Sequence, residues 1–277
     1  MKKFFSLSLI IVLAATLFWG CEKKGDAPAL PPAESMTIDF SDFIAGAKSA
    51  TILPDSKGAS AVNNTNWTVA ATVAGVWNSL LVLNLAVPVA AFKVAVENKP
   101  EYLDNKKWQW KYSAPVLGAT YTARLTGQIR STDVKWEMYI SREGVGGFGE
   151  FLWFEGTTNI DGKSGQWILT QSQQQQVPML QIDWAKEGSV VGSIKYTYIK
   201  KDGPLKEGNY IQYGLTANPL DAYYTVEFWE SNRGLSVIVN IEWSTTGHNG
   251  RVKSNAYFQD SFWHCWDANG NDITCPN

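Results

Sequence analysis

The sequence predicts an α+β fold, in which a large antiparallel β-meander forms a curved or barrel-like sheet around an N-terminal pair of buried helices. Two observations lead to this prediction. Strand-like segments recur every eight to fifteen residues from Trp108 onward, separated by Gly, Asp, Asn and Pro. Before them, residues 67–92 contain no charged residue. Helices formed there would be apolar on all sides, and such helices have to be covered by other elements.

The chain begins with features of an exported protein. Two lysines precede Phe4–Trp19, an uncharged and mostly apolar segment with about the length of a secretory signal, too short for a comfortable membrane span. Gly20 and Cys21 follow and resemble the lipobox of bacterial lipoproteins, in which the signal is cut before the cysteine and the cysteine carries lipid. This resemblance implies a signal peptide over residues 1–20 and lipidation of Cys21. The alternative is an ordinary cleaved signal with an unmodified cysteine.

A flexible tether is predicted over residues 21–35, which are rich in Lys, Gly, Ala and Pro and lack periodicity. Glu22 follows the cysteine, where an aspartate would retain a lipoprotein at the inner membrane. The resemblance therefore implies an outer-membrane lipoprotein that contacts the membrane through its lipid anchor and faces the periplasm or the cell surface. Residues 36–277 are then one domain, with the lead-in and helices in 36–100 and the meander in 101–277.

The uncharged segment is long enough to be a transmembrane candidate. However, two asparagine amides would then lie in hydrocarbon, and Pro88 interrupts the segment. We therefore expect a soluble-domain helix from Thr68 to Ala86, with Pro88 in the first turn of a second helix. The helical spacing of its apolar residues predicts the deepest contacts at Val73, Val76, Trp77, Leu80 and Leu81.

The β-region contains roughly ten to twelve predicted strands. Apolar and polar residues alternate most clearly in residues 121–129 and 134–141, which predicts one buried and one solvated face. The connections are too short for parallel crossovers, so neighbouring strands should be antiparallel. A sheet with this many twisted strands curls, and it can hold helices in its concavity.

Two cysteines near the C-terminus, Cys265 and Cys275, are expected to form a disulfide, because an exported protein folds in an oxidising compartment. Between them, Asn269-Gly270 is a strong hairpin-turn signal. The disulfide should therefore close a short terminal hairpin.

The same loop partly matches a calcium-binding loop, with Asp267, Asn269 and Asn271 at its first, third and fifth positions. Asp272 stands where that loop requires glycine, and the sequence supplies no acid at the twelfth position. Only two histidines are present, and zinc-protease and serine-hydrolase motifs are absent from the sequence. We predict no metal site and no cofactor.

The composition restricts the possible partners. A formal charge of −2 gives no basic excess with which to bind nucleic acid. Thirteen Trp, eleven Tyr and twelve Phe make the chain rich in aromatic residues, most of which should be buried or paired across strands. A minority could serve as stacking platforms for a glycan.

Paired carboxylates are the one credible route to catalysis. Glu137, Glu155, Glu227 and Glu242 lie in strands next to aromatic residues, and two facing carboxylates could hydrolyse a glycoside. Alternation, however, places Glu137 and Glu242 on the polar side of their strands. We therefore predict no catalytic residues.

The mature chain contains the segments LPPAESMTIDFSDF, GVWN, AVPVAAF, WEMYIS, FLWFEG, IDW and HCWD. These segments resemble a family of uncharacterised Gram-negative outer-membrane lipoproteins. This family resemblance implies no activity. The predicted architecture is also similar to that of the sorting-factor lipoprotein carriers, whose unclosed barrel is filled by helices, although fold does not imply function.

The sequence thus predicts a lipid-anchored envelope protein without catalytic activity that acts as a binding or structural module. Its partners would be a glycan, an apolar ligand or another envelope protein. One alternative is a carrier of an apolar ligand, and another is a glycan-active hydrolase. A carrier requires an apolar void between helices and sheet of roughly 300 Å³ or more.

Overall fold

The computed structural model describes residues 25–38, 40, 41, 43, 65–95, 97–203 and 205–276. The predicted signal peptide and Cys21 lie outside these residues. Two α-helices are described, α1 (Thr65–Ala95) and α2 (Asn255–Phe258), together with a 3-10 turn at Ala33–Met36. The remaining elements are strands of one sheet.

Fourteen strands form this sheet, and each pairs antiparallel with its neighbours in the chain. The predicted meander is therefore confirmed. The sheet is curved but not closed, with β1 and β14 at its two ends. The strand count exceeds the predicted ten to twelve; β1, which has only two residues, is too short to give an alternating pattern. The strands are β1 (Glu101–Tyr102), β2 (Lys107–Val116), β3 (Ala119–Ile129), β4 (Asp133–Arg142), β5 (Phe148–Asn159), β6 (Ser164–Thr170), β7 (Pro178–Glu187), β8 (Val190–Tyr198), β9 (Tyr210–Leu215), β10 (Ala222–Glu230), β11 (Leu235–Trp243), β12 (Gly250–Lys253), β13 (His264–Trp266) and β14 (Asp272–Ile273).

Buried tryptophans pack over glycines of neighbouring strands. Trp136 on β4 is fully buried and pairs in register with Gly127 on one side and Gly156 on the other. A Cβ atom on Gly127 would lie only 2.5 Å from the Trp136 ring, closer than carbon atoms can approach. The glycines therefore make room for the indole rings. The same arrangement recurs for Trp167 with Gly156, Trp184 with Gly165, and Trp266 with Gly250.

Helix α1 is a single helix, so the predicted pair of helices is wrong. Pro88 lies inside it. Proline lacks the N–H that would bond to the carbonyl of Asn84, and inside a helix it costs about 3 kcal/mol. Buried contacts of Leu85 and Phe92 on either side hold the helix against the sheet through this position. Asn84 makes a local bond of its own, donating from Nδ2 to the Leu80 carbonyl at 2.7 Å.

One face of α1 is buried, and the expectation that it would be covered on all sides is wrong. Of the five residues predicted to lie deepest, Leu80 is half-buried and Val76 is 57% exposed, whereas the other three are buried. The open sheet does not surround the helix, which contacts β2 and β3 near one end of the strand order and β12 to β14 at the other. By length and composition α1 could also cross a membrane, a test that core helices of soluble proteins pass as well. The exposed large apolar residues of the helix are Val76, Val82 and Leu83.

The terminal hairpin caps the start of α1. The Asp272 carboxylate accepts hydrogen bonds from the backbone N–H groups of Thr65, at 3.1 Å, and Asn66, at 2.9 Å. Asn66 Nδ2 also donates to the Cys265 carbonyl at 2.9 Å. A carboxylate at this position satisfies amides that have no partner within the helix and complements the positive end of the helix dipole. The first turn of α1 is therefore held by residues about two hundred positions away.

The packed domain begins before residue 36, earlier than predicted. Ser35 lies in the predicted tether but is fully buried, and its hydroxyl accepts a hydrogen bond from Trp167 Nε1 at 3.0 Å. The hydroxyl of Tyr196 donates to the Met36 carbonyl at 2.9 Å, and burial raises the pKa of this tyrosine. The last part of the predicted tether thus belongs to the core.

Candidate functional site

A groove of about 400 Å³ lies between α1 and the inner face of the sheet. Val73 and Trp77 of the helix form one wall, and Val226 and Phe228 of β10 form the other. The loop between β8 and β9 closes one side with Leu205, Lys201 and Lys206. We call this the helix–sheet groove, defined by Val73, Trp77, Lys201, Lys206, Val226 and Phe228.

An asparagine side chain fixes the loop that borders the groove. The ladder between β9 and β10 ends at the pair Tyr210 and Glu227. Beyond it, the Trp229 N–H donates to Asn209 Oδ1 at 3.1 Å, so a side chain replaces the missing strand partner. The Asn209 carbonyl accepts from the Tyr198 N–H at 2.8 Å, which ties the same residue to β8. Asn209 is itself buried. Asn209 therefore ties the loop that borders the groove to both β8 and β10.

Two lysines give the groove a positive edge. The Lys206 ammonium lies 3.4 Å from the ring centroid of Trp229, a cation–π contact. Lys201 also lines the groove. Neither ammonium forms an ion pair with a carboxylate of the described residues. The groove thus combines apolar walls with two lysine ammonium groups that no carboxylate of the described residues neutralises by direct contact.

A second groove, of about 330 Å³, lies on another side of α1. Phe40, Leu85, Val89 and Tyr196 contribute to its mainly apolar lining, and Lys93 is its charged residue. This second groove is large enough for a small ligand, but a single lysine supplies its positive charge, whereas the helix–sheet groove has two.

Glu137 and Glu155 are brought together, because they are direct cross-strand partners on β4 and β5. Lys135 Nζ lies 2.8 Å from a Glu137 oxygen and 3.7 Å from a Glu155 oxygen, and Lys107 Nζ lies 3.3 Å from the other Glu137 oxygen. Burial acts to raise the pKa of Glu137, but hydrogen bonds and charges from the two lysines lower it overall. A general acid requires a raised pKa, and the pKa of Glu137 is shifted in the opposite direction.

The other two glutamates lie apart from that pair and have partners of their own. Glu242 accepts from Arg251 Nε at 2.8 Å and Nη2 at 2.5 Å. Glu227 accepts from the Ser236 hydroxyl at 2.6 Å. The neighbours of Glu242 in β11, Ile241 and Trp243, are buried. The expectation that Glu242 faces away from the apolar side is therefore confirmed, and so is that for Glu137, which stands between two fully buried residues.

Cys265 and Cys275 are placed as predicted. Their Sγ atoms are 2.12 Å apart and their Cα atoms 5.1 Å apart, at disulfide distance. Between them the Asp267 carboxylate accepts from the backbone N–H groups of Asn269 and Asn271, both at 2.9 Å. These bonds lower the pKa of Asp267. Within the described ranges, no three His, Cys, Asp or Glu side chains group together as metal ligands.

The sequence patterns predicted Val73 and Trp77 as deep contacts of the helix, but they did not identify the other residues of the helix–sheet groove. Lys201 and Lys206 belong to the segment KKDGPLKEG between two strands. Three lysines in one loop were a visible signal. The contact of this loop with the flank of α1, however, depends on tertiary structure, and no sequence motif encodes it.

Comparison with known proteins finds no relative of this chain. No family model matches the sequence, and it has no match among curated proteins or solved structures. The resemblance to outer-membrane lipoproteins stays a prediction, and the groove carries the functional argument.

Proposed function

We propose that this chain is a lipid-anchored protein of the outer membrane whose folded domain binds an apolar ligand in the helix–sheet groove and acts as a carrier or binding module, not as a catalyst. The observation that carries the proposal is the groove itself. Its volume of about 400 Å³ exceeds the roughly 300 Å³ at which small-molecule sites begin. Its position between helix and sheet is the one a carrier requires.

Three further features support binding. The wall residues Val73, Trp77 and Val226 are buried parts of the core, so the walls between which a ligand would lie are preformed. Val76 lies at the edge and is 57% exposed, which leaves apolar surface that a ligand could cover. On the β10 side of the groove, the hydrogen bonds of Asn209 to Trp229 and Tyr198 hold the wall in place. A preformed site lowers the ordering cost of binding.

A fluorescence titration tests the groove. The purified full-length protein in phosphatidylcholine nanodiscs should give a saturable rise in the fluorescence of N-phenyl-1-naphthylamine, above a blank of empty nanodiscs. Val76→Trp should weaken this binding at least about tenfold, or about 1.4 kcal/mol, because the indole fills the groove edge.

The matched control is Leu83→Trp, which adds the same ring to α1 at a position 83% exposed and outside the groove lining. This variant should bind like the unmodified protein. Absence of saturable binding, or equal loss in both variants, would contradict the proposal.

The anchor requires its own measurement. If Cys21 is lipidated, mass spectrometry of the mature N-terminus should find diacylglyceryl-cysteine as the first residue, as the Gly20-Cys21 pattern predicts. Cys21→Ser should leave the precursor uncut and without lipid. An unmodified N-terminus beginning at another residue would show that the lipobox resemblance is misleading.

A further inference from the structure

The charge at the edge of the helix–sheet groove restricts what it binds. Lys201 and Lys206 both line it, and neither is ion-paired among the described residues. Glu230, which follows the groove residue Trp229 in β10, forms an ion pair with Arg233 at 2.9 Å. Asp202 and Glu207 adjoin the two lysines in sequence and are exposed like them, but they do not line the groove. The two ammonium groups are therefore the charges available to a ligand in this groove.

The apolar residues and the lysines also lie in different parts of the groove. Val73, Trp77 and Val226 lie deep, with exposures of 6%, 3% and 0%. The lysines belong to the loop on one side, and Trp229 holds the Lys206 ammonium there at 3.4 Å from its ring centroid. A ligand that contacts both the deep apolar residues and the lysines has an apolar chain at one end and a negative group at the other.

The size of the groove limits the apolar part. About 400 Å³ is near the lower end of the roughly 300–1,000 Å³ range of small-molecule sites. A single chain suits this volume better than a lipid with two or more chains, whose additional chains would remain in water.

We propose that the ligand is a single-chain anionic amphiphile, whose carboxylate or phosphate group lies against Lys201 and Lys206 while its chain lies between α1 and β10. This inference rests on the proposed function, because it names the ligand class of the same groove. Charge-assisted hydrogen bonds from two ammonium groups are among the stronger polar contacts that a protein makes.

Displacement of N-phenyl-1-naphthylamine from the nanodisc-held protein tests the ligand class with three probes of equal chain length. Dodecanoate and dodecyl phosphate should displace it at concentrations at least about tenfold lower than dodecanol does. Comparison of the two anions identifies the head group, since a phosphate carries more charge and more acceptor oxygens than a carboxylate. All probes are used below the concentration at which they form micelles.

Lysine variants test the assigned residues. Lys201→Gln combined with Lys206→Gln should remove the advantage of the anions and leave displacement by dodecanol unchanged. Lys163→Gln, at an exposed turn between β5 and β6, is the control and should change nothing.

The outcomes separate this inference from the function on which it rests. Equal displacement by dodecanol and dodecanoate would overturn the anionic ligand and leave the groove as an apolar site. An anion preference that survives loss of both lysines would overturn their assignment. Absence of any fluorophore binding would remove the proposed function as well.

Discussion

Phe92→Ala should lower the free energy of unfolding by about 3–5 kcal/mol. Phe92 is fully buried on α1, and its ring lies 6.2 Å from that of Phe154 and 5.7 Å from that of Trp167, measured between centroids. Truncation would leave a cavity among rigid aromatic groups that cannot collapse into it. Urea denaturation followed by circular dichroism measures the loss as a lower midpoint at unchanged slope.

Leu83→Ala is the control for this prediction. It introduces the same residue into the same helix, at a position 83% exposed to solvent. Its effect should stay within about 0.5 kcal/mol. Similar losses for both variants would mean that Leu83 is covered as well, and that α1 has a second packing partner.

Cys275→Ser should cost about 3 kcal/mol, since the disulfide closes a loop over a sequence separation of ten residues. Cys275 is the better position to change because Cys265 is buried and a serine hydroxyl there would add a cost of its own. The variant should melt at a lower temperature than the oxidised protein and at the same temperature as the protein treated with dithiothreitol. A variant that melts like the oxidised protein would contradict the prediction.

A second variant shows whether the disulfide acts through the helix cap. Asp272→Ala removes the acceptor for the Thr65 and Asn66 amides and should cost about 1 kcal/mol in the oxidised protein. In the Cys275→Ser background it should cost less, because a loosened hairpin no longer positions the carboxylate. Additive losses would separate the two contributions.

The β-region was predictable because its alternation and short connections leave few topologies. In β4, Trp136, Met138 and Ile140 point inward as the pattern requires, and every strand pairs with its chain neighbours. The Trp–Gly contacts could not be predicted in the same way. They depend on which residue of one strand faces which residue of the next, and a slip of one residue would remove them.

The prediction for the helical region was less accurate for a physical reason. Absence of charge in residues 67–92 indicated a helix but not that one side of it would stay exposed, although three of the five predicted contacts are buried. Pro88 signals a break by local rules, yet the helix continues through it, with buried contacts on both sides. The groove was missed because Lys206 and Trp77 are far apart in the chain and only the fold brings them to one site.

During synthesis, the first turn of α1 emerges well before Asp272, the residue that caps it. Thr65 and Asp272 are 207 positions apart, and chains grow at about 5–20 residues per second. Roughly 10–40 s therefore pass between the emergence of the helix and the emergence of its cap. Throughout that time the most apolar segment of the domain lacks both the cap and most of the strands that will cover it. A chain that has emerged only in part is therefore open to aggregation through this segment during that time.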